Sequence, residues 1–148
     1  HRDLLLSLRR QRELCIRDWY NPAGIKLWTR LFGSSADEMA IGVAVDSSDN
    51  IYVTGSTEGE IDGNKNAGKT DALLIKFNQY GVKKWTKQFG TTSTDRGVAV
   101  TTDNSSSVYV TGETSGGLDG NTHSGYTNCG GTCPDMFLIK YNSDGVKQ

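Results

Sequence analysis

Histidine, proline, cysteine and long apolar runs are all scarce in this chain of 148 residues, with two histidines, two prolines and three cysteines. One of the histidines is the first residue, so little is left for a histidine base or an imidazole-rich metal centre. No run of about 18 apolar residues occurs, which excludes an encoded membrane-spanning helix. Lys and Arg nearly balance Asp and Glu, for a net charge of −1. That balance leaves no basic stripe for nucleic acid or an anionic membrane. No nucleophile elbow, P-loop or dinucleotide fingerprint is present, so the chain is expected not to be an enzyme.

Glycine is plentiful at 18 copies. With Ser, Thr, Asn and Asp it separates short apolar runs, the pattern of an all-β chain rich in turns. Residues 1–19 differ from the rest. They hold Arg2, Arg9, Arg10, Arg12 and Arg17, five of the seven arginines. Leu4, Leu5, Leu6 and Leu8 are followed at once by arginine, too short an apolar stretch for a signal peptide. This segment reads as an N-terminal arm, disordered or foreign to the domain.

The rest of the chain, 20–148, repeats. Trp28-Thr29-Arg30 returns as Trp85-Thr86-Lys87, Ile51-Tyr52-Val53-Thr54-Gly55 as Val108-Tyr109-Val110-Thr111-Gly112, and Asp62-Gly63-Asn64 as Asp119-Gly120-Asn121, each 57 residues on. Gly42-Val43-Ala44-Val45 matches Gly97-Val98-Ala99-Val100 at a shift of 55, which predicts a linker two residues shorter and a following turn two residues longer. Leu74-Ile75-Lys76-Phe77-Asn78 returns as Leu138-Ile139-Lys140-Tyr141-Asn142 at a shift of 64, so seven residues are inserted, best placed at Asn128–Pro134.

Each copy reads as four strands. Strand a runs from about Ile41 to Asp46, with small Gly42 and Ala44 on one face, where a neighbouring backbone can come close. Strand b runs from about Asn50 to Ser56 and strand c from about Asp71 to Asn78, the latter apolar enough to be buried on both faces. Strand d, from about Val82 to Phe89, alternates Trp85 and Phe89 with polar residues, as an edge strand does. Asp46–Asn50 is a hairpin turn, and Gly81 and Gly145 supply positive φ between c and d. Four meandering strands at this period predict β-propeller blades, four-stranded antiparallel sheets forming a partial propeller of about two blades. The parts are a strand d at 24–33, a blade at 37–90 and an incomplete blade at 95–148.

The stretch Gly42–Gly55, the stretch Phe137–Gly145 and the two Trp-Thr-basic triplets resemble the bacterial β-propeller repeat known as SBBP. The resemblance implies a propeller, often seven-bladed, in secreted or envelope-associated bacterial proteins. It brings no catalytic residue with it. Two blades cannot close on themselves, so the chain reads as a fragment of a longer array, as one member of a ring of chains, or as an open arc. The leading N-terminal strand d could complete the terminal blade. Further blades of the same protein, or self-association, are the expected partners.

Chemistry is sparse. Asp62, Asn64 and Asn66 form an oxygen-rich loop that could hold calcium, although Asp-Gly-Asn is also ordinary turn chemistry. Cys129 and Cys133 flank two glycines in the insertion and could close a small disulfide, which would point to an oxidising compartment. The b–c loops, with Asp119, Asn121, His123 and Tyr126, are the candidate contact surface for a protein or carbohydrate ligand. The sequence therefore favours a non-enzymatic binding or scaffold module, secreted or in a bacterial envelope, with no cofactor required. The competing reading is a fragment of a propeller hydrolase of glycosidase type, whose acid and base would be sought among Glu58, Glu60, Asp62, Glu113 and Asp119 or outside this chain.

Overall fold

The computed structural model describes residues 20, 23–124 and 133–148. Seven strands follow one another along the chain: β1 (Glu38–Val45), β2 (Ile51–Thr57), β3 (Asp71–Phe77), β4 (Lys83–Phe89), β5 (Asp95–Thr102), β6 (Val108–Thr114) and β7 (Asp135–Tyr141). They form two antiparallel meanders, β1-β2-β3-β4 and β5-β6-β7, with no α-helix among the described residues. The fold is all-β and built from propeller blades, as the repeat predicts.

The first hairpin turn of each blade is tied by one aspartate. Asp46 Oδ1 accepts the amides of Ser48 and Asn50, both at 2.9 Å, and the Tyr52 hydroxyl donates to Oδ2 at 3.0 Å. Asp103 repeats this with the amides of Ser105 and Ser107 and the hydroxyl of Tyr109. An Asx-type bond of this kind fixes a turn locally, and the tyrosine extends it into the sheet. Burial works to raise the Asp46 carboxyl, but the bonds from Asn50, Ser48 and Tyr52 outweigh it and hold the group below its ordinary value. A depressed carboxylate stabilises the fold above the unfolded-state value of about 3.9 and loses that contribution as pH falls through the folded value. Urea unfolding followed from about pH 6 to about pH 2.5 should thus show stability falling in the acid range. Asp46→Asn should flatten that fall.

The shift of 55 expected for strand a is not what the sheet adopts. Val43 pairs with Val53 and Val100 pairs with Val110, so strand a recurs at 57 like its neighbours. Gly97 therefore occupies the place of Ala40, and both hairpin turns have the same length. The misreading has a physical cause: a two-residue slip leaves strand alternation unchanged, so the letters fit either way. A β-bulge sets the register. Pairing skips Ile41 in β1 and Val98 in β5, which are equivalent positions. The shift of 64 for strand c holds, since Val53 faces Ile75 and Val110 faces Ile139.

All seven residues of β3 are buried, whereas β7 alternates between covered and exposed. The main core joins the two sheets. Tyr52 and Leu74 of the first blade pack with Val108, Val110, Ile139 and Tyr141 of the second, and Trp85, Phe89, Val100 and Phe137 close around them. Gly42 brings β1 against β5: a Cβ there would lie 3.2 Å from the Val98 carbonyl oxygen. The close approach expected of the small residues in strand a is therefore made by this glycine.

The segment expected as strand d, 24–33, has no ladder among the described residues beyond the isolated bridge Tyr20–Lys26. It nevertheless docks as a strand d would. Trp28 and Phe32 cover Ile51, Val53, Ile75 and Phe77 on the outer face of the first blade. Phe32 meets Phe77 with ring centroids 5.4 Å apart, as Phe89 meets Tyr141 at 6.2 Å across the next seam. Arg30 Nε donates to the Gly81 carbonyl at 3.1 Å. The segment does not reach β7, so the closure considered from the sequence does not form within one chain.

Candidate functional site

The seam between the blades defines what one face of a blade is for. On the first blade that face presents Tyr52, Thr54, Ala72, Leu74 and Lys76, all buried. Lys76 Nζ crosses the seam to the Ser143 carbonyl at 2.7 Å, and the Trp85 indole nitrogen donates to the same oxygen at 3.2 Å. The Lys76 ammonium also lies 5.4 Å from the centroid of Tyr52. Burial and the Asp46 carboxylate push the Tyr52 hydroxyl well above the usual phenol range. Burial, with a contribution from Asp119, pushes the Tyr141 hydroxyl up to about 12. Both phenols therefore stay neutral and serve as packing groups.

Among the described residues, no blade covers the same face of the second blade. Leu74 is fully buried, but its repeat partner Leu138 is 72 % exposed, and Met136, in the place of buried Ala72, is 92 % exposed. Lys140 lies over Tyr109 at 5.2 Å, as Lys76 lies over Tyr52. The free edge of β7 is equally unfinished. Among the described residues it pairs only with the start of a fourth strand, through the Tyr141–Lys147 bridge and a bond from the Gln148 amide to the Lys140 carbonyl at 2.9 Å. A cavity of about 510 Å³ opens here, lined by Leu118, His123, Asp135, Met136, Phe137 and Leu138. The matching face of the first blade is covered by the second.

The loops between the second and third strand of each blade hold the other candidate residues, and most of their polar atoms have structural partners. Asp62 takes the Lys83 ammonium on one oxygen and the Thr86 hydroxyl on the other. Burial works to raise its carboxyl, but the Lys83 and Thr86 bonds and the Lys83 charge hold it below the ordinary value. Asn64 Nδ2 donates to the Ile61 carbonyl at 2.8 Å, and Asn66 Oδ1 accepts the Gly68 amide at 2.7 Å. These three side chains thus close a turn in which Asp62 and Gly63 stand at φ 55° and 79°. Asp119 and Gly120 repeat the same angles, Asp119 pairs with Lys147, and Asn121 Nδ2 bonds the Leu118 carbonyl. His123 packs against Asp135, with Nε2 4.0 Å from its carboxylate. Tyr126 and Cys129 lie outside the described residues, and Cys133 stands two residues before β7. Glu113 pairs with Arg96 across β5 and β6. The structure gathers no acid and base around a common point among the described loop residues.

This geometry finds its counterpart among known proteins. The model of the family described as SBBP, a beta-propeller repeat, matches residues 27–62 and 84–119. The chain carries two SBBP β-propeller repeats. The matched spans start at the Trp28 segment and in β4 and end at the Asp62 and Asp119 turns, so the second runs from the outer strand of the first blade into the second. The uncharacterized WD repeat-containing protein L264 of Acanthamoeba polyphaga mimivirus is 26% identical over 110 residues, covering 63% of this chain. The chain spans only 8% of the length of that relative. A repeat boundary that crosses the seam agrees with Trp28 and Trp85 each serving the blade that follows.

Proposed function

We propose that this chain is a non-enzymatic docking module of a secreted or envelope-associated bacterial protein, and that its second blade receives a further blade of the same repeat. The observation that carries the reading is the contrast between Leu74 and Leu138, one residue type at one repeat position, buried in the first blade and open in the second. Exposed apolar side chains on a sheet face beside an unpaired strand edge favour association. In a second copy of the chain, the segment around Trp28–Phe32 has the character of the strand that β7 lacks. By the β3–β4 register, in which Lys76 faces Trp85, it would set Trp28 opposite Lys140. The same seat would suit a following repeat in a longer chain. The loop acids support the reading without enzymatic chemistry, since Asp62, Asp119 and Glu113 are paired with Lys83, Lys147 and Arg96.

Light scattering after size exclusion, over a concentration series, tests this directly. The chain is expected to associate, with Leu138→Lys and Trp28→Ala each weakening association at least about tenfold, roughly the effect of losing 1.4 kcal/mol. A monomer at every concentration, or assembly indifferent to both changes, removes the proposal.

The disulfide between Cys129 and Cys133 belongs to the same reading, because such bonds persist in oxidising compartments. Thiol titration of the denatured chain should find one of its three cysteines reactive before reduction and all three after. Three reactive thiols at the outset would remove both the bond and the argument for the compartment.

A further inference from the structure

We propose that Asp71 and Asp95 form a divalent-cation site, suited to Ca²⁺, at the seam between the two blades. Asp71 opens β3 and Asp95 opens β5. Their predecessors Thr70 and Thr94 meet in a parallel bridge, and the Asp95 amide donates to the Thr70 carbonyl at 2.8 Å. The fold thus sets two acids side by side from different blades. Both are fully buried.

Each carboxylate is satisfied on one oxygen only. Asp71 Oδ2 accepts the Ala67 amide and the Gln88 side-chain amide, both at 2.9 Å. Asp95 Oδ2 accepts the Thr91 amide at 2.6 Å and the Thr91 hydroxyl at 3.0 Å. Asp71 Oδ1 and Asp95 Oδ1 are buried with no hydrogen-bond donor. No ion pair among the described residues includes either acid. The two carboxylates converge on the space beside Gly90: a Cβ placed there would lie 2.5 Å from Asp71 Oδ1 and 2.9 Å from Asp95 Oδ2. A residue without a side chain keeps that space open.

Buried charges are rarely left uncompensated, and two like charges at close range are the least favourable case. A divalent cation cancels both. Carboxylate oxygens, with backbone carbonyls and water to complete the shell, are the donors that hard cations take, and Ca²⁺ tolerates irregular geometry. The repeat explains why the pair occurs at this seam. Asp135 stands at the Asp71 position and accepts the Ser124 amide at 2.7 Å as Asp71 accepts that of Ala67, but among the described residues it lies beside His123, 4.0 Å from Nε2, rather than a second acid. Glu38 stands at the Asp95 position and is held by Ser34 and Thr57. Only where two blades meet does one half face the other.

The test uses the full chain stripped with EDTA and then given CaCl₂. Equilibrium dialysis should find one ion per chain. Saturating Ca²⁺ should raise Tm by about 5 °C or more, by mass action on the folded state. Asp71→Asn and Asp95→Asn should each abolish the rise, while Asp62→Asn and Asp135→Asn keep it. The proposal is overturned by no bound ion, or by a Tm rise that survives in both seam variants. If the seam variants do not fold, dialysis on the wild type and on Asp62→Asn still decides: one ion in both supports the seam, and loss in Asp62→Asn overturns it.

Discussion

Leu74→Ala is expected to destabilise the protein by about 2–5 kcal/mol, whereas Leu138→Ala at the same repeat position should cost less than about 0.5 kcal/mol. Leu74 has no exposed surface and packs with Tyr52, Val108 and Ile139 at the centre of the interblade core. Removing its side chain takes away buried apolar area and leaves a cavity between two sheets that cannot easily collapse. Leu138 is largely exposed in a single chain, so its loss changes little there. Chemical denaturation of the two variants at low concentration, where association is minimal, measures both values. Equal costs would mean that the seam does not carry the stability of the pair of blades.

Gly55→Ala should be nearly as severe, at about 3 kcal/mol or more. The bulge at Ile41 draws the β1 backbone over this glycine, and an added Cβ would run into the Met39 carbonyl. The obstacle is main chain held by its own ladder, so it cannot swing aside as a side-chain tip could. Gly112 faces the Arg96 carbonyl in the same way, so Gly112→Ala should behave alike. By contrast, Gly63 and Gly120 face open space and are required only for their positive φ. Thermal unfolding of Gly55→Ala and Gly112→Ala compares the two bulges. A loss near zero at either site would show that β1 or β5 can slide to a different register.

How much of this was legible in the sequence can be traced residue by residue. The blade pattern was plain, because Trp28 and Trp85, Tyr52 and Tyr109, and Asp62 and Asp119 recur at one spacing and each does the same work twice. Burial of β3 on both faces followed from its continuous apolar run. The register of strand a was not legible, since Gly-Val-Ala-Val fits at either of two positions with unchanged alternation. The Asp46–Tyr52 bond was in principle legible from its recurrence as Asp103–Tyr109, but an aspartate in a turn ordinarily needs no partner in the sheet. Asp71 and Asp95 carried no local signal at all. They are 24 residues apart and belong to different blades, so only the stacking of sheets brings them together. The expectation of calcium at Asp62, Asn64 and Asn66 rests on a loop dense in oxygen atoms, which is visible in one dimension, whereas the seam acids become neighbours only in the fold.

The exposed face and free edge of the second blade lie at the opposite end of the chain from the Trp28 segment that would fill them. Association through these elements is therefore heterologous: what one copy offers differs from what the next one accepts. Assemblies built this way end when the rotation from one copy to the next adds up to a full circle, and otherwise they continue as a helix.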